Sequence, residues 1–248
     1  MDKGIYIAMT GASHIERAQA LRANNLANAT TTGFRADFAQ ARSMGVYYGD
    51  GHPTRAYALT ENPGSDFSQG ALLETGRDLD LAIDGEGWLA VLAPDGSEAY
   101  TRAGSLQVTA LGQLVTATGE PVLGDDGPLA LPPYESLHIG QDGTLSVRPL
   151  GQGPEVMAEV GRLRLVNPPL QELTKGSDGL FRSTAAEPPP AEAGIRLQTG
   201  YLESSNVNTV EEFTQVIALS RQYELQVKLM STMDDNTAAA SRLLQSNG

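Results

Sequence analysis

The chain has 248 residues, 40% of them hydrophobic, no cysteine and a net charge of −13, enough material for one or two packed domains. The missing cysteines exclude a disulfide framework, a thiolate metal site and a thiol nucleophile. Residues 1–33 carry +1, residues 209–248 carry −2 and residues 34–208 the remaining −12, a balance that argues against nucleic acid and anionic lipid as partners.

Residues 4–31 read as a helix. Ile5, Ala8, Ala12 and Ile15 step by three, four and three, a narrow apolar stripe. Alanines at 8, 12, 18, 20, 23, 27 and 29 allow a neighbouring helix to approach closely. Asn24, Asn25 and Asn28 weaken the helical state, and Gly33 is a natural left-handed terminator. This start lacks the apolar core of a cleavable signal, because Thr10, Ser13, His14, Glu16 and Arg17 interrupt it. No apolar run approaches the ~20 residues of a membrane span, so no direct membrane insertion is expected.

Residues 34–75 carry no sustained period and many glycines and prolines, and read as an irregular extended arm. Phe34, Phe38, Tyr47, Tyr48 and Phe67 make that arm too aromatic for free solvation and suit it to docking. Residues 76–184 read as a β-rich body. Asp-Gly turns at 84–85, 95–96, 126–127, 142–143 and 178–179 separate short strand patterns. The strands are expected at 79–83, 88–92, 105–109, 113–117, 144–148 and 162–166, in an antiparallel arrangement. Residues 185–208 begin with Ala-Ala-Glu-Pro-Pro-Pro-Ala-Glu-Ala-Gly, a stiff exposed linker, and lead back to helix.

Residues 209–248 are that helix. Thr209 and Glu212 have capping-box spacing. Phe213, Val216, Ser220, Tyr223, Val227 and Met230 then repeat at coiled-coil intervals, with Ile217 beside them. Two end helices with incomplete apolar faces pack on each other and still leave stripes uncovered. Copies of the chain are the natural cover. The fold class is therefore α+β, with long terminal helices and a mainly antiparallel β middle.

Candidate chemistry is thin. Gly85-x-Gly87-x-x-Ala90 resembles a dinucleotide fingerprint, but that motif needs a helix after its second glycine. Trp88–Leu92 is a strand pattern and Pro94-Asp95-Gly96-Ser97 a turn, so the stretch reads as a hairpin. Asp78, Asp80, Asp84 and Glu86 alternate with apolar residues and read as a solvated strand face. His14, His52 and His138 share no ligand spacing, and no Gly-x-Ser-x-Gly elbow occurs. No catalytic residue, metal site, cofactor or small-molecule substrate is expected.

Five stretches carry a resemblance. Ala23–Arg35 (ANNLANATTTGFR), Thr75–Val91 (TGRDLDLAIDGEGWLAV), Tyr100–Gly124, Gly200–Ile217 (GYLESSNVNTVEEFTQVI) and Arg221–Met230 resemble, in the same order, the signatures of the flagellar basal-body rod protein family. Length, short β body and tail are most similar to its proximal-rod branch, with the distal-rod branch next. Trp88 stands where the family usually carries Phe. The resemblance implies a structural subunit, assembled helically with itself and other rod proteins into a hollow shaft in the basal body, spanning the periplasm. It implies terminal helices forming an inner coiled-coil layer, and delivery through the flagellar export apparatus. A peptidoglycan-active enzyme is the alternative from a different class.

The expected subunit-interface residues are Ile5, Ala8, Ala12, Ile15, Leu21, Asn24, Asn25, Leu26, Asn28, Gly33 and Phe34 at the N-terminal end. Phe213, Val216, Ile217, Ser220, Tyr223, Val227 and Met230 complete the set.

Overall fold

The structure, a computed structural model, describes residues 4–45, 56–151 and 156–246. The chain divides into two compact units. The first takes residues up to 29, then 36–66 and 207 onward; the second takes 30–35 and 67–206.

The first unit holds helices α1 (Gly4–Ala27) and α2 (Thr209–Ser246) and an antiparallel hairpin of β1 (Asp37–Gly45) with β2 (Ala56–Ser65). The expected irregular arm thus contains paired strands, with a bulge between Phe38 and Gln40. Strand pairing supplies backbone hydrogen bonds that no side-chain period announces. Tyr47, Tyr48 and His52 lie outside the described residues.

Helix α1 ends earlier than expected. Asn28 donates from both its backbone N–H and its side chain to the Asn24 carbonyl, at 3.1 and 2.9 Å, and the chain turns there. The left-handed residue Gly33 (φ 69°) sits beyond that turn and does not cap the helix itself. At the start of α2 the cap lies one residue before the expected box. The Asn208 side-chain oxygen accepts from Val210 and Glu211 N–H, at 3.1 and 3.3 Å, which leaves Glu212 free to turn elsewhere.

The second unit is β-rich. Strands β3 (Leu72–Glu74), β4 (Leu81–Asp84), β5 (Trp88–Leu92) and β6 (Glu98–Thr101) lead it, and the strand pairs throughout are antiparallel. Its largest sheet runs 165–166, β5, β6, 181–183, 173–175. Both faces of β5 are covered, and the period of two sorts its residues. Leu89 and Val91 enter an aliphatic core with Leu106, Leu114, Val122 and Leu145. Trp88 and Ala90 enter an aromatic cluster with Tyr100, Phe181 and Phe67. The Trp88 and Phe181 ring centroids are 4.7 Å apart.

No helix follows Gly87, as the strand reading required. The hairpin forms from that strand and the turn after it. β5 pairs with β6 across the Asp95-Gly96 turn, while β4 pairs with 196–199. The solvated-face reading of the acidic stretch also fails at one position: Asp80 is buried and pairs with Arg77 at 2.9 Å. The proline segment is exposed, as expected, and is fastened to the body at two points. Glu192 N–H donates to Leu165 C=O at 2.8 Å, and Arg164 donates to Pro189 C=O at 2.9 Å.

Candidate assembly face

α1 and α2 pack against each other in opposite directions, Gly11 lying near Gln226 and Arg22 near Glu212. Ala8 and Ala12 are buried, and Ile15, Leu21 and Leu26 are half-buried. Small residues let the helix axes close up, and a side chain at Gly11 would touch Gln226 at 3.4 Å. Among the described side chains of α2 the covered ones are Glu212, Val216, Leu219, Ser220, Gln226, Met230 and Met233. The expected seam is therefore rotated: Val216, Ser220 and Met230 belong to it, whereas Phe213, Tyr223, Val227 and Ile217 are exposed.

A polar latch sets that rotation. Glu212 accepts from Arg22 at 2.9 Å and from the Asn25 side chain at 3.0 Å. Asn25, fully buried, also donates to Asp37 C=O and accepts from Asp37 N–H, both at 2.9 Å. One amide therefore joins α1, β1 and α2. Asn25 meets partners inside its own chain, Asn24 is exposed, and Asn28 folds back on Asn24. Hydropathy cannot find Arg22 and Glu212, because both read as solvent-facing.

The pair leaves a broad apolar surface. Tyr6, Met9, Val210, Phe213 and Leu225 are more than half exposed, and Ile5, Ile217, Tyr223, Val227 and Leu229 are exposed as well. Exposed apolar side chains on packed helices make this a candidate association face.

Gly33 and Phe34 belong to the second unit. A Cβ on Gly33 would lie 2.2 Å from the Arg102 carbonyl carbon, so only glycine fits. The Phe34 ring stacks under the Lys175 ammonium at 3.8 Å. Next to them lies an ion cluster that sequence reasoning missed. Arg35, Arg102 and Glu203 are all buried, and both guanidiniums face Trp88, at 6.0 and 5.5 Å. Burial pushes the Arg102 pKa below its ordinary value; Glu203 opposes the shift and Arg35 adds to it. Each charge sits within a stretch already singled out, Gly-Phe-Arg35, Tyr-Thr-Arg102 and Gly-Tyr-Leu-Glu203, which was the available signal.

Among the described residues no group of three His, Asp or Glu side chains is placed to hold a metal ion. Nor is any described helix long and apolar enough to cross a membrane. His14 is half-buried on α1 and His138 is exposed on strand 134–139.

Three family models match in chain order. Residues 5–35 match the flagella basal body rod protein model, 82–147 the flagellar hook protein FlgE/F/G D1 domain, and 198–243 the flagellar basal body rod FlgEFG protein C-terminal model. Flagellar basal-body rod protein FlgF of Escherichia coli (strain K12) is 44% identical over 250 residues, which covers 98% of this chain and 99% of that protein. The FlgF of Salmonella typhimurium (strain LT2) is 42% identical over the same shares. Rod protein FlgG of Buchnera aphidicola (subsp. Schizaphis graminum) is 32% identical, covering 98% of this chain and all of that protein. With the helices at its two ends and the β-rich stretch between them each matched, the chain belongs to the flagellar basal-body rod protein family.

Proposed function

We propose that this chain, a structural subunit of the flagellar basal-body rod, builds the proximal part of a helical, hollow drive shaft that carries torque from motor to hook across the periplasm. It acts in the basal body by assembling with other rod proteins, and it performs no catalysis. The observation that carries the reading is the apolar surface that α1 and α2 leave open after packing on each other, headed by Tyr6, Met9, Val210, Phe213 and Leu225. Burying each large side chain at a subunit contact contributes about 1.5–3 kcal/mol. Many such contacts repeated along a shaft give stiffness without a pocket.

In this reading residues 1–33 and 209–248 form the inner, coiled-coil layer of the tube. Residues 34–75 are the arm, 76–184 the β-rich body, and 185–208 the linker that returns to the tube layer. The interface residues are those expected from the sequence, with Phe213, Ile217, Tyr223 and Val227 as the exposed core of the set. Transit through the export apparatus as an unfolded chain fits a polypeptide with no cysteine to cross-link. The greater likeness to FlgF than to FlgG favours the proximal over the distal position.

The test is Tyr223→Asp in the full chain, expressed in a strain lacking its own proximal-rod subunit. The expected result is loss of swimming and of rod incorporation, with the helical circular dichroism of the purified monomer unchanged. Normal swimming would remove the assembly-face reading.

A further inference from the structure

The borders between the two units fall at residues 29/30, 35/36, 66/67 and 206/207. Within the β-rich unit, the three stretches next to these four borders are tied to Glu203. Gly33 N–H donates to the Glu203 carbonyl at 2.8 Å. The Glu203 carboxylate pairs with Arg35 at 2.5 Å and accepts from Gly70 N–H and from Arg102, both at 3.0 Å. On either side of this residue, Ser204 N–H donates to Ala71 C=O at 2.8 Å and Asn206 N–H to Phe34 C=O at 3.4 Å. Arg102 then donates to Gly85 C=O at 2.7 Å, anchoring the group to the turn between β4 and β5.

We propose that Glu203 is a positioning residue of the rod subunit. Through Arg35, Gly70 and Arg102 it clamps together the three stretches by which the chain enters and leaves the β-rich unit. Load arriving along any of them reaches the sheet through one rigid joint. Apolar side chains of equal volume fill such a space as stably as a buried ion group. They do not hold three chain segments in fixed directions, whereas a carboxylate with four acceptor sites does. Two arginines against one glutamate make the joint intolerant of losing the acid. The role in carrying load rests on the rod reading; the clamp rests on the geometry alone.

The test uses the full chain and two variants. Glu203→Gln removes the charge and keeps the size. Arg35→Met removes one arm and leaves Arg102 paired with Glu203. Amide hydrogen exchange is read at Gly33, Gly70, Ser204 and Asn206, with the core amides of Leu114 and Val122 as references. The expected result for Glu203→Gln is exchange accelerated at all four clamp amides at least tenfold more than at the references. Arg35→Met is expected to speed Gly33 and Asn206 tenfold and to leave Gly70 and the references alone. Both variants are expected to swim more slowly than wild type in viscous medium.

Equal acceleration at clamp and reference amides would overturn the proposal in favour of ordinary stability, and a change confined to Gly70 would reduce Glu203 to one local bond. Should Glu203→Gln not fold, Arg35→Met decides alone: unchanged exchange at Gly33 overturns the clamp. A wild-type chain that restores no swimming, with the exchange pattern as expected, overturns the rod reading and not the clamp.

Discussion

Glu203 and Glu212 leave water for the same reason, that each meets an arginine and an N–H donor at its destination. Their neighbours differ, and so do the expected costs of losing them. Glu203→Gln leaves two buried guanidiniums without a counter-charge and is expected to cost about 3–5 kcal/mol. Arg35→Met leaves a neutral pair and is expected to cost under about 2 kcal/mol. Urea unfolding followed by Trp88 emission measures both, since Trp88 is the sole tryptophan and touches both arginines. At the other latch, Asn25→Ala removes the hydrogen bonds to Asp37 and Glu212 and is expected to cost about 1–3 kcal/mol, measured by urea unfolding followed by helical circular dichroism. Asn25→Asp is expected to be worse, because it replaces a donor with a second acceptor facing Glu212 and the Asp37 carbonyl.

Among the elements, the helix pair separates packing from assembly. Ala8 and Ala12 are buried between α1 and α2, so Ala12→Leu overfills the contact and is expected to cost about 1–3 kcal/mol of monomer stability. Phe213 is 58% exposed, so Phe213→Asp is expected to leave the monomer within about 0.5 kcal/mol of wild type and to abolish rod incorporation. Thermal unfolding by circular dichroism and rod incorporation, measured on both variants, distinguish the two faces. The rotation of the α2 seam has a local cause. Apolar spacing selected 213, 216, 220, 223, 227 and 230, but a charged residue, Glu212, is drawn inward by Arg22 and Asn25 and turns the helix with it.

For the whole molecule, acid is the expected weakness of the β-rich unit. Asp142 is held below its ordinary 3.8 by hydrogen bonds from Thr144, Asp95 by those from Ser97, and Asp178 chiefly by that from Arg182. A carboxyl whose native pKa is depressed binds fewer protons folded than unfolded. Its stabilisation is complete above about pH 4 and is lost as pH falls through the native value. Thermal melts between pH 5 and pH 2 are expected to fall steadily below pH 4, with a shallower fall for Asp142→Asn. The net charge of −13 is expected to favour solubility of the unassembled chain, whose helices expose apolar side chains.

The sequence by itself determined the order of helix, β-rich middle and helix, and the strand at 88–92, because period and turn chemistry are local properties. It determined the family as well, through long stretches matched in order. Three things only the tertiary structure decided. The β1–β2 hairpin forms because backbone groups find each other, which side-chain spacing does not record. β4 and β5 part into different sheets, since a strand's partner is a long-range choice. Arg35, Arg102 and Glu203 lie far apart in the chain, and their burial has no signal until folding brings opposite charges together, for only then does leaving water become tolerable.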